Sequence, residues 1–89
     1  MTMSVQFPNR SRCFDATRRA VRFWGSDGAL ETTFFVTEGA LQRIQPGTPT
    51  GESEMLRVFD SHVDQIHRAA TRIYVRGSRG SYDLDGSDF

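Results

Sequence analysis

One run limits what this chain can become. From Met55 the apolar side chains Leu56, Phe59, Val63, Ile66, Ala70 and Ile73 recur at steps of three or four, which stacks them on one side of an α-helix and on no single face of a strand. The spacing predicts one helix over Glu52–Arg76. Thr50 stands where it can cap the first turn, Glu52 and Glu54 lie near the positive end of the helix dipole, and Arg68, Arg72 and Arg76 lie toward the negative end. Gly77 then offers a left-handed stop. Asp64 and Arg68 have the i, i+4 spacing of an ion pair, worth only about 0.3 kcal/mol on an exposed face. A helix with one apolar stripe must bury it, and nothing else in the chain is long enough to be an equal helix, so its partner is a sheet.

The segments that can make that sheet lie mostly upstream. Met1–Phe7 alternates at Val5 and Phe7 before Pro8-Asn9 interrupts it, as a brief edge strand or ordered arm would. Arg12–Phe14 and Arg19–Trp24 flank a tight turn, Asp15-Ala16-Thr17-Arg18, with Asp at its first position. Ser26-Asp27-Gly28-Ala29 is a hairpin turn, because Asp-Gly supplies the positive φ such turns require. The strand Leu30–Val36 follows, with Leu30, Thr32, Phe34 and Val36 on one face and Glu31, Thr33 and Phe35 on the other. Thr37 is placed to cap a short helix, Glu38–Ile44, that Pro46-Gly47 ends, and Gln45–Gly51 is a loop to the long helix. After a turn at Ser78-Arg79-Gly80, Tyr82 to Leu84 reads as a last short strand before an acidic tail, Asp85–Phe89. The expected architecture is α+β, a small antiparallel sheet of three to four strands with two helices on one face, in the order β-β-β-α-α-β.

At 89 residues the chain is one domain, 1–89, and buries only about 60–65% of the surface its unfolded form exposes, which argues against a deep enclosed site. Eleven basic residues, all arginine, balance eleven acids, so no overall field draws it to nucleic acid or membrane. The single cysteine, Cys13, has no partner for an internal disulfide, which suits a reducing compartment. No secretory h-region and no apolar run of about 20 residues is present. A cytoplasmic location is therefore expected, with no membrane contact.

Val21-x-Phe23, the hairpin leading to Leu30, Thr37-x-x-Ala40-Leu41, Phe59-x-x-His62-x-x-x-Ile66-x-x-Ala69 and the terminal Leu84 with Asp88-Phe89 together resemble the short bacterial family catalogued as domain of unknown function fourteen eighty-eight. The resemblance covers nearly the whole chain and lies in the order of core and turn pieces. From the label some members carry, it implies a transcriptional regulator, and it brings no catalytic or binding residues with it. Val63 stands where the family's Phe-x-x-His/Asn core is often followed by Arg.

Asp60, Asp64 and His67, at i, i+4 and i+7, fall within a narrow arc of one helix and form the best metal constellation the chain offers. Arg68 competes for Asp64, and no metal or other cofactor is called for. His62 lies about 140° from His67 around the helix, so the two do not share an ion, and each reads as a half-buried packing histidine. No serine elbow, Walker loop, dinucleotide fingerprint or paired-cysteine motif appears, and Gly25-Ser26-Asp27-Gly28 leads into a strand rather than a helix. Catalytic residues are not expected, and neither is an enzyme.

Two surfaces remain. If Val21, Phe23, Phe34 and Val36 face the helices, then Arg22, Trp24 and Phe35 face away, and large aromatics on that side need a cover. Three covers are available: the arm with Val5 and Phe7, a second copy in a homodimer, or a foreign partner. The leading expectation is a non-enzymatic adaptor or regulatory module that binds an unidentified protein through Arg22, Trp24 and Phe35, or through a sheet edge, and self-associates. The alternative is a nucleic-acid-binding regulator that uses Arg57, Arg68, Arg72 and Arg76 on the long helix.

Overall fold

The structure, a computed structural model, describes residues 5–8, 11–28, 30–47, 51–74 and 80–89. Three consecutive strands, β1 (Arg12–Asp15), β2 (Ala20–Asp27) and β3 (Leu30–Thr37), are followed by helices α1 (Glu38–Ile44), α2 (Glu52–Ser61) and α3 (Val63–Ile73) and by β4 (Ser81–Leu84). A single 3-10 turn over Gly86–Asp88 closes the chain. The sheet runs β1-β2-β3-β4, an α+β fold with all its helices between the third strand and the last.

Both expected hairpins form. In the first, Cys13 pairs with Arg22 and Asp15 with Ala20, while the Asp15 carboxylate accepts from the Arg18 N–H at 3.0 Å and Arg19 takes the left-handed conformation at φ 50°. In the second, Asp27 pairs with Leu30, and Gly28 at φ +62° supplies the conformation a two-residue hairpin needs. Thr37 caps α1 through its hydroxyl, which accepts from the Ala40 N–H at 3.2 Å.

The last strand corrects the expected sheet. β4 pairs parallel to β3, Phe34 with Tyr82 and Val36 with Leu84, so the sheet is mixed rather than antiparallel. The helices return the chain to the end at which β3 began, the crossover that parallel pairing requires.

The long helix is also corrected. It breaks at His62, whose φ −124° and ψ 25° are not helical, although neither proline nor glycine stands there. The His62 N–H bonds to both Val58 and Phe59 carbonyls at 3.1 Å, and helical bonding resumes from Ile66 N–H to the His62 carbonyl at 3.0 Å. The doubled bond tightens the last turn of α2. Gly51, not Thr50, holds the N-cap position of α2, and α3 ends at Ile73, short of Arg76. Thr50, Arg76 and Gly77 lie outside the described residues.

The core lies between one face of the sheet and the helices. Val21, Phe23, Phe34, Val36, Tyr82 and Leu84 from the strands meet Ala40, Leu41, Met55, Val58, Phe59, Val63, Ile66, Ala69 and Ala70 from the helices. Both halves of the broken helix thus keep the apolar stripe on the sheet, with Met55 and Val58 buried and Leu56 only half-buried.

Candidate functional site

The described part of the N-terminal arm, residues 5–8, does not cover the outer face of the sheet, contrary to one of the expected covers. Gln6 exchanges backbone hydrogen bonds with Ser26 at 2.7 and 2.8 Å, extending the β1 side of β2 past the end of β1. Val5 and Phe7 flank Gln6 and so point to the helix side. Val5 is buried in the core, and Phe7 lies between Phe23, Phe34 and His67, stacked on the imidazole with ring centres 4.0 Å apart.

The opposite face carries Cys13, Arg22, Phe35 and Asp83 in one row across β1 to β4, with Trp24, Thr33 and Ser81 in the next. None of these joins the core cluster, and no described helix lies over them. The expected exposure of this face is corrected at Phe35, which is only 6% exposed. Arg18 folds back from the first turn, placing its guanidinium carbon 4.2 Å from the centre of the Phe35 ring. The same guanidinium reaches Asp15 at 3.8 Å and Asp83 at 4.0 Å. Arg22 lies over Trp24 at 5.0 Å, and its Nε is buried with no hydrogen-bond partner among the described residues. Cation-π contact of this kind is worth about 0.5–1 kcal/mol where it is partly exposed. Trp24 and Arg22 remain half-buried.

The arginines of the alternative surface are not brought together as one stripe. Arg57 lies on α2 and pairs with Glu54. Arg72 on α3 donates to the Asp88 carbonyl at 2.8 Å, which ties it to the terminal turn. Arg68 is exposed beside His67, Thr71 and Arg72 along a shallow groove of about 440 Å³, and Arg76 lies outside the described residues. Asp64 and Arg68 form no ion pair, unlike the pair their spacing predicts.

Asp60, Asp64 and His67 are divided by the break, Asp60 on α2 and the other two on α3. Asp60 is held by Arg12 of β1 in a two-pronged contact, Nε to Oδ1 at 2.9 Å and Nη2 to Oδ2 at 2.7 Å. That hydrogen bond outweighs partial burial and raises the Arg12 pKa. No group of three metal-ligating side chains assembles among the described residues. His62 packs half-buried with Nε2 3.1 Å from the Gln45 Oε1.

Sequence reasoning missed two contributors. They are Arg18, a residue of the first turn, and Asp83, a residue of the last strand. The alternation of β3 places Phe35 on the outer face, but only the parallel register of β4 sets Asp83 beside it.

No helix of the described residues is long and apolar enough to cross a membrane. No curated protein matches the chain. The crystal structure of a protein of unknown function from the DUF1488 family of Shewanella loihica PV-4 is similar in fold, with a TM-score of 0.79 over 96% of each chain at 13% identity. The profile of the family described as protein of unknown function (DUF1488) matches residues 5–84, and with nearly the whole length covered, this chain belongs to the DUF1488 family.

Proposed function

We propose that this protein is a non-enzymatic adaptor or regulatory module that acts through protein contact at the open face of its sheet, around Arg22, Trp24 and the Arg18-covered Phe35. The observation that carries this reading is the Arg22 guanidinium. The side chain is half-buried over Trp24, its Nε is buried with no hydrogen-bond partner, and it enters none of the ion pairs found among the described residues. The accessible outer edge of an arginine that has no ion pair of its own is a group that a partner's carboxylate completes. A large aromatic and an arginine together are the residue types that dominate protein contacts.

The test is affinity capture of a tagged copy from its native cell extract, in untreated and nuclease-treated halves, with Trp24→Ala and Arg22→Ala in parallel. The expected result is a protein set that survives nuclease and is lost from both variants. Capture unchanged in both folded variants would overturn the reading. A set that vanishes with nuclease, and whose binding falls steeply with added salt, would transfer the function to the arginines of α2 and α3, Arg57, Arg68 and Arg72.

A further inference from the structure

We propose that the occupant of the open face is a second copy of this chain, packed sheet against sheet about a two-fold axis that runs parallel to β3 between the two sheets, above Phe35 and the Arg18 that covers it. This deepens the preceding reading and rests on it only for the choice of face.

The register of the sheet supplies the complementarity. Phe35 has Arg22 beside it on β2 and Asp83 beside it on β4, each one strand spacing away, about 4.8 Å. A two-fold axis along β3, in the plane between two facing sheets, exchanges left and right. It therefore sets Arg22 of each copy over Asp83 of the other. In the neighbouring row, Trp24 and Ser81 flank Thr33 in the same way, so the same operation sets each Trp24 position, with the Arg22 guanidinium over its ring, opposite the small Ser81 of the other copy. One axis satisfies both rows, which an isologous contact requires.

Charge points the same way. Within one copy Arg18 alone serves two carboxylates, Asp15 and Asp83, at the long distances of 3.8 and 4.0 Å, while Arg22 serves none among the described residues. Each copy thus holds an unpaired cation at β2 and, at β4, a carboxylate that only the distant Arg18 reaches. In the pair, Asp83 gains Arg22 of the other copy and Arg18 is left to Asp15. Four guanidinium groups then meet four carboxylates with none unmatched, as specific contacts demand. A face about 20 Å wide across four strands is at the small end of stable interfaces, so exchange between monomer and dimer in the micromolar range is expected.

The experiment is sedimentation velocity of the full chain over a concentration series into the high micromolar range. It compares wild type, Arg22→Asp, Asp83→Arg and the double exchange. Each single change should weaken dimerisation by about tenfold, and the double exchange should recover it, which also shows that the variants fold. The Asp83 side chain is 65% exposed, so its replacement leaves the core intact. A wild type that stays monomeric throughout would overturn the proposal. So would a dimer that neither single change weakens, or one that the double exchange fails to recover. Monomeric wild type together with Trp24-dependent capture would remove the dimer and leave the adaptor reading standing. A dimer with the expected charge pattern and Trp24-independent capture would do the reverse.

Discussion

Gly25 shows how one missing side chain positions the start of the chain. It lies on the helix side of β2, where a Cβ would stand 2.5 Å from Val5 Cγ2, 2.9 Å from Phe7 Cε1 and 3.1 Å from the Gln6 carbonyl. The backbone of β2 accepts the arm only because that space is empty. Gly25→Ala is expected to lower stability by about 1–3 kcal/mol and to expose the Ser26 amide that bonds to Gln6. Urea unfolding and amide exchange measure the two effects, and an unchanged midpoint with a protected Ser26 would refute both. At this scale alternation alone separates Phe34 from Phe35 and Phe23 from Trp24. It does not show that Phe35 is buried, because its cover, Arg18, comes from a turn whose side chains follow no period.

At the scale of elements, local chemistry and packing divide the work. α1 begins and ends where its cap and the following Pro-Gly predict, since both signals act within a few residues. Thr37→Ala should cost about 1 kcal/mol and Thr37→Ser much less, measured by thermal or urea unfolding. Equal losses in the two variants would show that the methyl group, not the hydroxyl, matters there. The division of the long helix at His62 is a different case. The apolar spacing continues through it without a break, so the period carries no warning, and the bend arises where α2 and α3 must both lay their stripe on the sheet. The arc of Asp60, Asp64 and His67 depended on a straight helix and dissolved with it, Asp60 instead bridging to β1 through Arg12.

Across the whole molecule, polar contacts tie together elements that the core leaves loose. The Tyr74 hydroxyl at the end of α3 donates to the carboxylate of the buried Asp27 at 2.9 Å, at the tip of the β2–β3 hairpin. Burial, and then this bond, raise the Tyr74 pKa above its ordinary 10.0. The folded state therefore holds that proton more tightly than the unfolded chain. The contribution is complete below 10.0 and disappears as pH rises through the raised value. At the other extremity Asp85 closes a capping box over the terminal turn, and hydrogen bonds from the Ser87 hydroxyl and N–H lower its pKa below 3.8. That contribution is present above 3.8 and is lost as pH falls through the lowered value. Stability measured against pH should decline at both ends. Tyr74→Phe should flatten the alkaline limb and Asp85→Asn the acid limb, and a variant profile parallel to wild type would remove the corresponding group from the account. The terminal segment, expected as an acidic tail, is thus a structured turn, with Arg72 bonded to the Asp88 carbonyl.

By itself the sequence determined whatever depends on neighbours along the chain: the two hairpins, the cap of α1, the apolar stripe, and the sorting of Arg22, Trp24 and Phe35 onto one side of the strands. These follow from φ preferences, side-chain periods and capping, all set within a few residues. Tertiary structure alone decided the parallel entry of β4, the break at His62, the docking of Val5 and Phe7 on the helix side, and the meeting of Arg18 with Phe35 and Asp83. Each of these joins residues far apart in the chain or depends on which surface two packed layers leave free. Such contacts exist only once the layers have closed on each other, and no local spacing records them.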